Sequence, residues 1–138
     1  MMPASTVHDF FQAIIAKDAD VIMSFYDPSP GTYVILEGPR LSTLGFDRIK
    51  KGWGDFVQSP ISLESIFWEE GPFYEESEQM AWVAGIIRLR VVIREKVFEQ
   101  VFRGSFVLKK SDGRWVICHE HVSGALQDPY GIGDWLKQ

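Results

Sequence analysis

Val7, Phe10, Phe11, Ile14 and Ile15 recur at the three- and four-residue intervals of one buried helix face. This spacing predicts a first helix capped by Ser5 or Thr6, with Asp9 near its positive end. Asp18 is placed to cap a second, short helix from Ala19 to about Tyr26. Asp27-Pro28-Ser29-Pro30-Gly31 must stop it, because two prolines and a glycine do not continue a helix. The β-branched and aromatic run Thr32-Tyr33-Val34-Ile35-Leu36 reads as a strand ending at Gly38-Pro39. A third helix follows from a cap at Ser42 or Thr43 to about Gln58. Its buried face is Ile49, Trp53, Phe56 and Val57, and Gly45, Gly52 and Gly54 weaken it.

After Pro60 the period of the pattern shifts to that of strands. Residues 61–74, bent at Gly71-Pro72, form one, and residues 80–93, 96–109 and 115–123 form three more. Ser111-Asp112-Gly113-Arg114 between the last two is a hairpin turn, since Asp-Gly accepts the positive φ angles of tight turns. Helices followed by a meander of long strands predict an α+β fold over residues 1–138, read as one domain. One curved antiparallel sheet with the helices on one face accommodates every segment. Neither an internal repeat nor a linker interrupts it.

Alternation sorts the faces of that sheet. Val83, Ile87, Leu89 and Val91 share one side of their strand, Phe102, Phe106 and Leu108 one side of the next, and Val116, Cys118, Glu120 and Val122 one side of the last. Placed together beneath the helices, these residues make an apolar inner wall holding a single carboxylate, Glu120. The opposite surface gathers Trp82, Arg88, Arg90, Glu99, Arg103, Trp115, His119 and His121, a mixture suited to a partner interface. A β-bulge would exchange the two faces locally.

Composition sharpens this picture at the aromatic residues. Ten Phe, five Trp and four Tyr in 138 residues need a core, a cavity wall or a partner to cover them. A net charge of -5 argues against broad affinity for nucleic acid or anionic membrane. The single cysteine excludes an internal disulfide and a CxxC zinc site. No basic segment followed by a long apolar run opens the chain, and the longest apolar stretch, near residues 81–87, is far below membrane-spanning length. The expectation is a cytoplasmic protein. Without a phosphate-binding loop, a dinucleotide fingerprint or a GxSxG elbow, no cofactor is expected.

Glu120 is the first candidate for chemistry, because a carboxyl in an apolar cavity has a raised pKa suited to acid or base catalysis near neutrality. Its alternative is an ion pair with an arginine. His119 and His121 form an HxH pair, but the only other histidine, His8, begins a helix, so an interface role is preferred to metal binding. Arg88, Arg90 and Arg103 could grip an anion, yet Glu99 on their face favours a salt-bridge network. Tyr26, Tyr33, Trp53, Phe102 and Cys118 are candidate cavity-wall residues, with Cys118 a packed thiol. Asp27 falls near the expected cavity mouth. Glu69, Glu70, Glu75, Glu76 and Glu78 mark a solvated hairpin end.

Three segments then carry a recognisable pattern: Phe102-Arg103-Gly104-Ser105-Phe106-Val107-Leu108-Lys109-Lys110, Asp112-Gly113-Arg114-Trp115-Val116-Ile117, and His119-Glu120-His121-Val122-Ser123. Together they resemble SnoaL-like domains of the nuclear transport factor 2-like superfamily. They are also similar to the end of the calcium/calmodulin-dependent kinase II association domain. The resemblance extends more weakly to Phe10-Phe11, Asp18-Ala19-Asp20, Phe25-Tyr26, Ile49 and Trp53. It implies a cone-shaped α+β roll with a cavity at its open end and a homodimer formed through the outer sheet. Functions in that superfamily range from isomerases, cyclases and dehydratases to assembly hubs. The first helix lacks the oxyanion-binding tyrosine of ketosteroid isomerases, and no Asp-Arg-Asp grouping of the epoxide hydrolases is present. The resulting expectation is a cavity for a small, largely apolar ligand, with proton transfer at Glu120. The alternative is a non-catalytic association domain acting through its sheet face.

Overall fold

A computed structural model describes residues 2–136. The first helix, α1 (Pro3–Ala16), starts earlier than Ser5 or Thr6, with Met2 at the N-cap and Pro3 in the first turn. Proline is suited to that position because its missing N–H has no helical partner to lose. Lys17 ends α1 in the left-handed conformation at φ 54°. Its ammonium group donates to the carbonyl oxygens of Ser59 and Ile61 at 2.9 and 2.6 Å. Helix α2 (Ala19–Ser24) is capped as its sequence indicates, the Asp18 carboxylate accepting from the Val21 N–H.

Strand β1 (Tyr33–Ile35) is followed by a two-residue strand, β2 (Thr43–Leu44), where the sequence suggested a helix cap. Pairing with β1 holds Thr43 in extended conformation, so α3 (Phe46–Gln58) begins only after Gly45. The Gly45 N–H donates to the Thr32 carbonyl at 2.7 Å, and its φ of 99° suits glycine. Four long strands complete the chain: β3 (Ile61–Glu76), β4 (Met80–Ile93), β5 (Lys96–Ser111) and β6 (Arg114–Ser123).

The helices pack on one face of a six-stranded, curved and unclosed sheet of order β2-β1-β6-β5-β4-β3. The sheet is mixed, not wholly antiparallel as the meander pattern suggested, because β1 runs parallel to β6. Alternation reports which side a residue faces but carries no information on strand direction, so this pairing was invisible in the pattern. Its register sets Val34 opposite Glu120.

A bulge between Val107 and Leu108 resets the other boundary of β6. Leu108 faces Ile117 while Val107 faces His119, leaving Cys118 as the extra residue. The bulge shifts the parity of the first half of β6. Trp115 and Ile117 therefore join the core, and Val116 is buried outside the main apolar cluster. Trp115 is thus a core residue and not part of a partner surface; the Lys110 ammonium covers its ring at 4.6 Å. Cys118 is half-buried, its thiol 3.4 Å from the Val107 carbonyl oxygen.

The core lies between α1 and the concave sheet face. Phe10 stands edge-on to Tyr26, Trp53 and Phe106, with ring centroids 5.5, 6.1 and 6.2 Å away. Strand β3 is bulged at three places, and its Glu70 carbonyl folds tightly over Gly85 of β4. A Cβ at Gly85 would strike that carbonyl and the Trp68 indole, so the crossing requires glycine. No helix among the described residues is long and apolar enough to cross a membrane.

Candidate functional site

Between the helices and the sheet lies an open pocket of about 550 Å³. Phe10, Phe11 and Ile14 of α1 and Trp53 and Phe56 of α3 form one wall. Ile66, Ile87, Leu89, Phe102 and Phe106 of the sheet form the other, and Glu120 is the carboxyl group at its inner end. Glu120 is 1% exposed.

The position of Glu120 follows from the sheet. Beyond the bulge, β6 alternation turns Glu120 inward opposite Phe106, while β1 covers its other flank through Val34. Tyr26 arrives from the far end of α2. Its neighbours fix it to the same strand: Asp27 N–H donates to the Ile117 carbonyl at 2.9 Å, and Ile117 N–H donates to the Phe25 carbonyl at 2.8 Å. Tyr26 then donates its phenol O–H to Glu120 Oε1, and the Trp53 indole N–H donates to the Tyr26 oxygen at 2.9 Å. Glu120 Oε2 has no protein partner among the described residues.

Burial raises the Glu120 pKa to about 7, although the Tyr26 hydrogen bond opposes the shift. Near neutral pH both protonation states are therefore accessible. The Tyr26 phenol is pushed well above its usual range, first by burial and then by the Glu120 charge, so it remains a donor. Together these groups make a carboxyl held at one oxygen and able to take or give a proton at the other.

Of the other residues singled out in the sequence, Trp53 and Phe102 line the pocket. Tyr26 does not; it stands fully buried behind Glu120. Tyr33 and Cys118 lie outside the pocket, contrary to expectation. Strand alternation buries Val34 and sends Tyr33 outward, where its ring stacks on His119 at 5.8 Å. Cys118 is displaced by the bulge it occupies. Asp27 is also away from the pocket, buried and paired with the Lys109 ammonium at 2.7 Å, which raises the lysine pKa.

The outer sheet face carries the charged set. Arg88 reaches Glu69 at 2.6 Å and Glu99 at 3.4 Å, and Arg90 reaches Glu64 at 3.4 Å. Arg103 donates to Ser123 Oγ and to the Gly124 carbonyl at 3.2 and 3.0 Å. Beside them Phe67, Trp82 and Val101 are 48, 42 and 41% exposed. The His119 Nδ1 lies 2.7 Å from the Tyr33 carbonyl oxygen. Among the described residues no group of three His, Cys, Asp or Glu side chains is arranged to hold a metal.

Sequence reasoning missed the pocket rim. Arg40, Ser42 and Thr43 border both the pocket and an adjoining cleft of about 320 Å³ that Arg48 and Lys51 complete. No periodicity marks residues 37–42, because they are an irregular connection between two very short strands. Tyr26, Trp53 and Glu120 were each visible as candidates, but their hydrogen-bonded chain spans 94 residues of sequence and required the fold.

Comparison with known proteins agrees with this architecture. No curated protein matches the chain by sequence. A nuclear transport factor 2-like superfamily protein of Salmonella enterica superposes with a TM-score of 0.79 at 21% identity, covering 94% of this chain and 93% of the other. A ketosteroid isomerase-like protein of Erwinia carotovora gives 0.73 at 15% identity, covering 87% and 91%. A Xanthomonas campestris protein named for a calcium/calmodulin-dependent protein kinase II association domain gives 0.70 at 16%, covering 88% and 84%. At these identities the likeness is one of fold. The SnoaL-like domain family itself matches residues 4–127, from the first turn of α1 past the end of β6, and the chain belongs to that family.

Proposed function

We propose that the pocket binds a small, largely apolar organic molecule and that Glu120 moves a proton on it. The observation supporting this reading is a single buried carboxyl among apolar walls, its proton affinity brought near neutrality by burial. Ionised, Glu120 takes a proton from an activated C–H of the ligand at Oε2; protonated, it returns that proton to another position. This exchange serves isomerisation, cyclisation and dehydration alike. Tyr26 and Trp53 act as positioning residues, fixing the carboxyl through Oε1. The kinship in fold with a ketosteroid isomerase-like protein is compatible with this chemistry. Helix α1 contains no tyrosine, however, so an oxyanion donor of the isomerase type does not come from it.

The test is deuterium incorporation from heavy water into small neutral ketones, such as cyclohexanone and acetophenone, followed by NMR. The native protein should exchange the α-hydrogens, and Glu120→Gln should slow the exchange by about 100-fold or more with ligand affinity retained. Equal exchange by both proteins would remove Glu120 from the chemistry. Absence of binding would leave the pocket without the proposed ligand class.

A second element of the proposal concerns the outer sheet face. A second copy of the chain covers Phe67, Trp82 and Val101, with the Arg88 network at the rim.

A further inference from the structure

The cleft beside the pocket is unusual for a chain of net charge -5. Arg40 comes from the irregular segment before β2, while Arg48 and Lys51 stand one turn apart on α3 and so project from one helix face. Ser42 and Thr43 add two hydroxyl groups between them. Arg40, Ser42 and Thr43 also border the apolar pocket, so cleft and pocket share a rim.

The two carboxylates that line the pocket together with Glu120 are already engaged. Glu37 accepts the Gly124 N–H at 2.9 Å, and Asp55 pairs with Lys51 at 3.0 Å. Arg40 and Arg48 have no hydrogen-bonded or ionic partner among the described residues. Two unpaired guanidinium groups beside two hydroxyls can give an anion several charge-assisted hydrogen bonds, and the guanidinium fork pairs bidentately with carboxylate or phosphate oxygens. The pocket walls offer such an anion little else to bind.

We infer that the ligand is amphipathic: its apolar body enters the pocket toward Glu120, and an anionic end group, a carboxylate or phosphate, is held by Arg40 and Arg48. This inference rests on the ligand-binding reading of the pocket and adds the substrate class. Lys51, paired with Asp55, contributes a weaker attraction. Orientation follows as well. An end group fixed at the rim sends the opposite end of the molecule inward, which fixes the part of the ligand that meets the carboxyl.

The test uses decanoate and its uncharged methyl ester, which share one apolar body and differ in charge. Binding is read by calorimetry and by Trp53 fluorescence. Decanoate should bind about tenfold or more tightly than the ester. The Arg40→Ala/Arg48→Ala double variant should abolish that difference while leaving ester affinity unchanged. Both arginines are exposed, so circular dichroism should show the native fold. Equal binding of acid and ester, or a preference that survives the double substitution, overturns the inference while the pocket reading stands. Failure of both compounds to bind overturns the two together.

Discussion

The burial of Glu120 carries a stability cost. Its folded-state pKa of about 7 lies above the ordinary value of 4.5, so the folded protein holds this proton more tightly than the unfolded chain. Stability therefore falls as pH rises from about 4.5 to about 7, and the loss amounts to about 3 kcal/mol before levelling off. Glu120→Gln keeps an acceptor for Tyr26 but does not ionise. In urea titrations the variant should match the native protein near about pH 4 and exceed it by up to about 3 kcal/mol near about pH 8. A constant difference across that range would show that Glu120 is not titrating as a buried acid. The identity of this residue was legible in the sequence because alternation left only one carboxylate on the inner wall. Its partners were not, since a hydrogen bond between residues 94 positions apart has no local signature. Tyr33 shows the converse failure: its residue type suited a cavity wall, but the short strand β1 turns it outward.

At the scale of elements, the departures from expectation arise where strand pairing overrides local pattern. The bulge at Cys118 reverses the faces of Trp115 and Ile117 without changing one residue of an otherwise regular alternation. A bulge sets two residues of one strand opposite one of its neighbour, and the alternation of either strand alone does not show where it lies. The long helices and strands were readable because each repeats its period several times, whereas β2 is too short to have one. Gly85 marks a further place where pairing dictates sequence. Gly85→Ala should destabilise the protein by about 2 kcal/mol or more, because the new methyl group meets a backbone carbonyl and an indole ring. Thermal unfolding of that variant measures the cost. Gly113→Ala serves as a comparison in which the added Cβ meets nothing and only the turn conformation is strained.

Across the whole molecule, the two faces of the sheet differ in character. The concave face holds the pocket, and the convex face presents Phe67, Trp82 and Val101 among paired charges. If a second copy covers that convex face, the Trp82→Glu/Val101→Glu double variant should elute as a monomer in light-scattering chromatography while keeping the ligand affinity of the pocket. An unchanged mass would remove this face from assembly. The general architecture was legible from element order and the Arg103–Ser123 segment, but the direction of β1 against β6 was not. That parallel pairing also has a consequence for biosynthesis. β1 leaves the ribosome long before β6, and the inner end of the pocket is assembled from both, together with Tyr26. The growing chain must therefore carry an incomplete sheet edge until its last strand inserts between β1 and β5. The inner end of the pocket is thus complete only once β6 has been made, and a message truncated before β6 would yield helices and strands without Glu120 or the strand that joins β1 to β5.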